Sequence, residues 1–287
     1  MGEVCKRKFD YFTGIDEMTP PLVSVIVSTK NEEKLLPCLL ASIRKQTYKN
    51  TEIVLVDNNS TDKTKEIASK FTKKIFNFGP ERSAQRNYGA SKAAGSYLLF
   101  VDADMELSPG VVEDCVGMTQ TAEVGGVIIP EVSFGIGFWA QVKAFERSFY
   151  VGDDSVESAR FYRKSIFTQV GGFDEKLLGF EDLELSNRVR AKALIVRIAS
   201  VIRHNEKRPT LLGMAKKSAY YARGTDRLLA KWKVSPINPR TFYFLRSAYW
   251  KNWRKLVSHP LLSIAMFVML TTQLCFGAVS YLKGRGK

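Results

Sequence analysis

Residues 22–29 (LVSVIVST) form a β-branched apolar run that stops at Lys30, Asn31 and Glu32, and residues 34–46 then place Leu35, Leu36, Leu39, Leu40 and Ile43 at helical spacing. The pattern predicts strand, loop, helix. It returns at EIVLVD (52–57), which ends in Asn58, Asn59, Ser60 and Thr61 before a Lys-rich helix predicted from Asp62 through Lys74. A short strand at 74–78 and a helix at 81–94 lead into SYLLFVDAD (96–104), whose central apolar residues predict a buried parallel strand. Beyond it the pattern predicts a helix over 109–121, a strand over 123–129 and an amphipathic helix around Phe138–Tyr150. A helix over 181–192, a strand over 194–201 and a basic helical stretch over 209–232 follow. Alternating strands and helices predict an α/β chain with a doubly wound sheet, whose ligands sit beyond the carboxyl ends of the strands. The polar clusters after Thr29, Val56 and Val101 all lie at such ends.

The charge changes this picture at the C-terminal end. Of the formal net charge of +14, residues 201–287 hold 17 Lys and Arg against Glu206 and Asp226, while the first 200 residues hold 26 against 27 acids. After the basic stretch, residues 261–282 carry no charge, and at ~1.5 Å per residue a helix of that length matches a bilayer core of roughly 30 Å. A buried core helix is the alternative, although such helices run shorter and carry a polar stripe, and here only Thr271, Thr272 and Gln273 interrupt. Lys251, Arg254 and Lys255 before the run obey the positive-inside bias, with Lys283, Arg285 and Lys287 behind it. The apolar residues fall all round a helical wheel, so a single span is expected, and a chain ended after Arg240 is expected to be soluble.

Aromatics interleave the basic stretch: Tyr220, Tyr221, Trp232, Phe242, Tyr243, Phe244, Tyr249, Trp250 and Trp253. They suit a surface resting on anionic headgroups, or else they pack on the preceding domain. Clustered Lys, Arg and aromatics also serve single-stranded nucleic acid, but the confinement of the excess to the C-terminal third leads us to expect no nucleic acid. The N-terminal MGEVCKRKFDYF lacks the apolar run of a signal peptide, and Cys5, Cys38, Cys115 and Cys275 show no CxxC pair, so a reduced, cytosol-facing domain is expected. The expected organisation is an extension at 1–21, a catalytic domain at 22–208, a basic amphipathic helical region at 209–258, a transmembrane helix at 259–282 and a tail at 283–287.

Asp102 and Asp104 lie where a buried strand runs out, and two carboxylates one residue apart there can share a hard divalent cation, although acids also cap strand ends. Asp57 is equally two-sided, since Asp57–Ser60 favour Asx turns, yet a carboxylate there can accept the N–H of a base. Arg82 and Arg86, one helical turn apart, can pair with a diphosphate or face water. Glu181 and Asp182 open a helix, where the macrodipole favours acids anyway, and one of them can serve as general base. His204, in RHNEK, is either a metal or phosphate ligand or a surface histidine.

Taken in order, VSVIVSTKNEEKLL, EIVLVDNNSTDKT, RSAQRNYGASKAAGSYLLFVDAD and VGGFDEKLLGFEDLELSNR resemble the inverting family 2 glycosyltransferases of the GT-A fold, over roughly residues 22–205. The resemblance implies a mixed GT-A sheet and a nucleotide-sugar donor linked to UDP or GDP. It puts Thr29, Glu32 and Asp57 at the nucleotide base and Arg86 at the nucleotide or its phosphates. It puts Asp102 at the ribose or metal, Asp104 on Mg²⁺ or Mn²⁺, Asp182 as base and Glu181 as the group orienting the acceptor. Two departures stand out. Asn58 follows Asp57 where many members have a second acid, and no QxxRW motif follows the Glu181–Asp182 pair, which argues against a processive synthase. With the apolar run, the expected acceptor is a lipid phosphate or lipid-linked glycan, and the expected place the cell membrane with the catalytic domain cytoplasmic. A membrane scaffold that has lost activity is the remaining alternative.

Overall fold

The apolar run at the start of the first motif has no polar face, and its strand, β1 (Val23–Thr29), is buried along its whole length. The structure, a computed structural model, describes residues 20–154, 156–233 and 246–285. Cys5, Phe242, Tyr243, Phe244, Lys287 and most of the expected N-terminal extension lie outside those residues.

After β1 come α1 (Leu36–Arg44), β2 (Thr51–Asp57), α2 (Thr64–Ser69), β3 (Ile75–Asn77), α3 (Arg82–Lys92) and β4 (Tyr97–Asp102). The middle of the chain forms β5 (Met105–Leu107), α4 (Val111–Met118), β6 (Val124–Ile128), β7 (Glu131–Phe134), α5 (Phe138–Arg147), β8 (Ala159–Arg163) and α6 (Lys164–Gln169). Then follow α7 (Glu181–Arg190), β9 (Leu194–Arg197), β10 (Ile202–Asn205), α8 (Leu211–Ala222) and α9 (Thr225–Trp232). The C-terminal part holds α10 (Ser247–Lys251), α11 (Trp253–Ser258) and α12 (Pro260–Arg285).

Seven strands form one mixed sheet in the order β3-β2-β1-β4-β8-β6-β9, in which β8 is antiparallel to both neighbours and the other pairings are parallel. The expected parallel strand β4 is therefore parallel to β1 and antiparallel to β8. Strand alternation divides the core into two layers. Val23, Val25, Val27, Leu99 and Val101 face Leu39, Leu40, Val112 and Cys115 of α1 and α4, while Ile26, Leu98 and Phe100 face Ala90, Phe167, Leu185 and Val189 of α3, α6 and α7. A second sheet, β5-β10-β7, stands at the carboxyl end of the first.

Three sequence expectations change. The Lys-rich helix stops at Ser69, because Thr72 Oγ1 donates to the Ile53 carbonyl and turns the chain back to the edge of β2. The basic stretch is two helices, with the break at Gly224 packed against Leu178. The apolar helix α12 is long and apolar enough to cross a membrane, yet it does not stand apart. Its Ala265, Met266, Met269 and Leu270 share a third core with Val142, Phe145 and Phe149 of the α5 region and Tyr249 of α10, against which Met214 of α8 also packs.

Candidate active site

The ends of β1 and β2 are tied to each other by their own loops. Thr29 Oγ1 donates to Asp57 Oδ1 at 2.9 Å, and Ser60 donates to the same carboxylate from its backbone N–H at 2.7 Å and its hydroxyl at 2.5 Å. Asp57 is fully buried and held by neutral donors. Asn31 and Asn59 take positive φ, which asparagine tolerates, and the Asn31 N–H reaches Ser60 Oγ at 2.7 Å. The Glu32 N–H reaches Thr64 Oγ1 at 2.8 Å, while its carboxylate pairs with Lys207 at 2.6 Å. Asn58, the departure from two acids, has a clear role: its amide donates to the Pro80 carbonyl at 2.6 Å, which a carboxylate cannot do. Gln85 of α3 donates to the Thr29 and Val56 carbonyls at 3.0 and 2.7 Å, clamping the two strand ends.

The centre of the site is Arg86. Its guanidinium is 1% exposed and donates to Asp102 at 2.9 and 3.2 Å, to Asp182 at 2.9 Å and to Glu181 at 3.3 Å. Arg86, expected at the nucleotide or its phosphates, is enclosed among carboxylates, and Arg82, one turn earlier, is the more exposed of the pair. Arg82 lies 3.9 Å from Asp102 and 3.6 Å from Glu181, and donates to the Tyr221 hydroxyl at 3.1 Å. Arg160 of β8 approaches Asp102 at 3.9 Å and pairs with Glu131 at 2.6 Å. Burial alone would raise the Asp102 pKa, but Arg86, Arg82 and Arg160 hold it far below the usual carboxylate range. Ser28 Oγ adds a hydrogen bond at 3.1 Å.

Glu181 and Asp182 begin α7, after Phe180 at φ 61°. Glu181 is buried, and burial with the neighbouring Asp182 pushes its pKa up against the pull of Arg86 and Arg82. The Asp182 side chain keeps 28% of its surface, so it is the member of the pair that a second substrate can reach.

Asp104 and His204 face each other at 3.5 Å across the β5–β10 ladder. His204 lies within β10, and acids surround it: Glu131 at 3.5 Å and Glu206 at 4.0 Å from Nδ1. Burial would lower its pKa, but the carboxylates of Asp104 and Glu131 beside the ring raise it to about 9. Nδ1 is buried without a hydrogen-bond partner. No three or more His, Cys, Asp or Glu converge as a metal cluster among the described residues. A carboxylate oxygen and an imidazole nitrogen on one side are nevertheless the donors that Mn²⁺ accepts, leaving further positions for phosphate oxygens.

Gln85, Glu131, Arg160, Glu206 and Tyr221 are not among the site residues expected from sequence. Arg160 carried one signal, the alternation of charge with apolar residues in ARFYR, since a charge on an otherwise buried strand needs a partner.

Residues 24–172 match the family model for glycosyl transferase family 2. Over 204 residues the chain is 29% identical to a PGL/p-HBAD biosynthesis glycosyltransferase of Mycobacterium bovis, covering 64% of this chain and 76% of that one. It is 27% identical over 221 residues to the GalNAc(5)-diNAcBac-PP-undecaprenol beta-1,3-glucosyltransferase of Campylobacter jejuni, covering 70% of each. The mannosyltransferase PcManGT of Pyrobaculum calidifontis, solved with GDP-Man and Mn²⁺, superposes with a TM-score of 0.62 at 17% identity, covering 91% of this chain and 87% of that one. S. aureus TarS with UDP-GlcNAc gives 0.53 at 18% identity, over 92% and 91%. A GT-A-like fold, a strand-end site rich in carboxylates and a family match across half of the chain lead to one conclusion: this protein is a glycosyltransferase and belongs to glycosyl transferase family 2.

Proposed function

We propose that the protein is an inverting, metal-dependent glycosyltransferase that moves a sugar from a nucleotide-diphosphate donor to a lipid-linked acceptor at the cytoplasmic face of a membrane. The observation that carries this reading is the position of Arg86. One guanidinium holds Asp102, at the strand end where donors bind in doubly wound sheets, and Glu181 and Asp182, at the head of α7. Donor and acceptor groups therefore converge within the reach of a single side chain.

In this reading Asp57, with three of about four lone-pair sites filled, keeps one for a base N–H, flanked by Thr29 and Glu32. Asp102 accepts from the ribose, and Arg82 faces the diphosphate with its exposed guanidinium. Arg86 holds Asp182 Oδ1, so that the other carboxylate oxygen takes the proton of the acceptor hydroxyl, while Glu181 orients it. The acceptor oxygen attacks the anomeric carbon opposite the diphosphate, and configuration inverts. Asp104 and His204 would hold Mg²⁺ or Mn²⁺, which when bound neutralises the charge growing on the leaving diphosphate. GDP-Man, UDP-GlcNAc and Mn²⁺ in the structural neighbours support this class of donor and metal, and the name of the Campylobacter relative supports a polyprenol-linked acceptor. A basic C-terminal third beside an apolar helix supports the membrane.

Screening UDP- and GDP-sugars by thermal shift with and without Mn²⁺ tests the reading. A donor at 100 times its dissociation constant stabilises by about 2.7 kcal/mol. The stabilisation by the true donor is expected to need Mn²⁺ and to vanish in Asp104→Ala. Donor binding in that variant with an unchanged Mn²⁺ requirement would remove Asp104 from the metal site.

A further inference from the structure

The helix α12 is apolar all round, but its two sides meet different surroundings. Ile264 is 65% exposed while Met266, two residues on, is 0% exposed. The outward residues recur at helical spacing: Leu261, Ile264, Val268, Val279 and Leu282, with Val257 continuing the row back into α11. The inward side is held along nearly the whole helix. Ala265, Met266 and Met269 pack with Val142 and Phe145, Ser218 Oγ donates to the Gln273 carbonyl at 3.0 Å, and Ser280 Oγ donates to the Ala219 carbonyl at 2.7 Å. Near its end Tyr281 donates to Asp226 at 2.6 Å. Held along one side in this way, the helix cannot enter a bilayer without its neighbours. The neighbouring α8 and α9, with exposed Lys216, Lys217, Arg223 and Arg227, would be carried into the hydrocarbon with it, where charged side chains are costly.

We infer that α12 docks in the plane of an anionic lipid bilayer, its outward stripe in the headgroup–acyl boundary, and does not span it. The charge pattern selects this occupant. Exposed Lys251, Arg254 and Trp253 precede the stripe and exposed Lys283 follows it, placing cations at both ends of an uncharged face and an indole at one. The geometry also gives docking a purpose. On the side of α8 away from α12, Tyr220 donates to Glu81 and Tyr221 accepts from Arg82. α8 thus touches both α12 and the donor side of the cleft. The inference deepens the membrane-acceptor reading proposed above, but flotation measures docking without the transfer reaction, so each can fail alone.

Full-length protein bearing a protease-cleavable C-terminal tag, added to preformed vesicles, provides the test. It should float with phosphatidylcholine vesicles containing phosphatidylglycerol, and about tenfold less with phosphatidylcholine alone. The tag should stay cleavable by protease added outside. Ile264→Glu combined with Val279→Glu should cut flotation by about tenfold or more while melting temperature and donor binding hold. Protection of the tag would show a span and overturn the proposal. Flotation unchanged by the double variant would leave the basic residues alone responsible, and would also overturn it. So would failure to float accompanied by self-association that the same variant abolishes, which would give the stripe to a second copy of the chain.

Discussion

Replacing Arg86 by methionine keeps most of the side-chain volume and removes the charge that Asp102, Glu181 and Asp182 share. Breaking a buried ion pair by deleting one partner costs about 3–5 kcal/mol, because the remaining charge is left uncompensated. Here the lower figure applies, since Arg82 and Arg160 still stand 3.9 Å from Asp102 and Asp182 is partly open to water. A loss of about 3 kcal/mol corresponds to a fall in Tm of about 6–12 °C at about 2–4 °C per kcal/mol. Urea and thermal unfolding between pH 8 and pH 5 measure it. The pH dependence has a definite sign, which Glu181 sets: burial and Asp182 already raise its pKa, and losing Arg86 raises it further. A carboxyl whose folded pKa exceeds its unfolded value of about 4.3 destabilises the fold above the folded pKa, and that cost fades as pH falls toward the unfolded value. The deficit of Arg86→Met should therefore be largest at pH 8 and shrink toward pH 5. A deficit under about 1 kcal/mol at every pH, or one that grows on acidification, would refute the view that this guanidinium holds the three acids.

Three further outcomes are expected. Asp182→Asn should leave donor affinity nearly intact and lower transfer by about 10²–10⁴, the usual contribution of a general base; lost donor binding with turnover preserved would remove Asp182 from the acceptor side. In Gly89→Ala the new Cβ would stand 2.5 Å from Ile26 Cγ2 and 3.2 Å from Val56 Cγ2, both on stiff, fully buried side chains. Overpacking should outweigh the gain in helix propensity by about 1–2 kcal/mol, and a raised urea midpoint would contradict this. A chain ended after Arg240 should aggregate or melt lower than the full protein, in contrast with the soluble fragment expected from sequence, because Val142, Phe145, Phe149 and Met214 lose their cover. A monodisperse fragment with unchanged Tm would make the C-terminal helices a true appendage.

The parts of the fold legible in the sequence are those whose pattern is set by the local chain. β1, β2 and β4 are unbroken apolar runs because both sheet faces are covered, and α1 and α3 show their buried residues at helical spacing. β5, β7 and β8 escaped because they are three to five residues long and each carries a charge, and Glu131 of β7 and Arg160 of β8 become acceptable only when they meet each other. The setting of α12 was illegible for another reason. A helix face turned to a protein core and one turned outward can be equally apolar, so the wheel that suggested a span could not reveal the contacts with α5 and α8. Within the site, the acids stood out at strand and helix ends, but their main partner is distant in sequence: 95 residues separate Arg86 from Glu181.

That separation explains why residue type alone left every carboxylate with two readings. Asp57, Asp102, Asp104 and Asp182 look alike along the chain, each at the end of a strand or the start of a helix, and their partners make them different. Asp57 meets only hydroxyl and amide donors, which leaves one lone-pair site on Oδ2 for a neutral N–H. Asp102 is held among three arginines, so its charge is fixed and already balanced before any ligand arrives. Asp104 and Asp182 keep more exposed surface, and each has one basic side chain within ion-pair distance, His204 and Arg86. A group that must bind a cation or take a proton needs an accessible lone pair, whereas one that must hold a frame together is better without it. On this criterion we propose the metal and proton-transfer roles for Asp104 and Asp182, while Asp57 and Asp102 contact the donor and fix the strand ends between them.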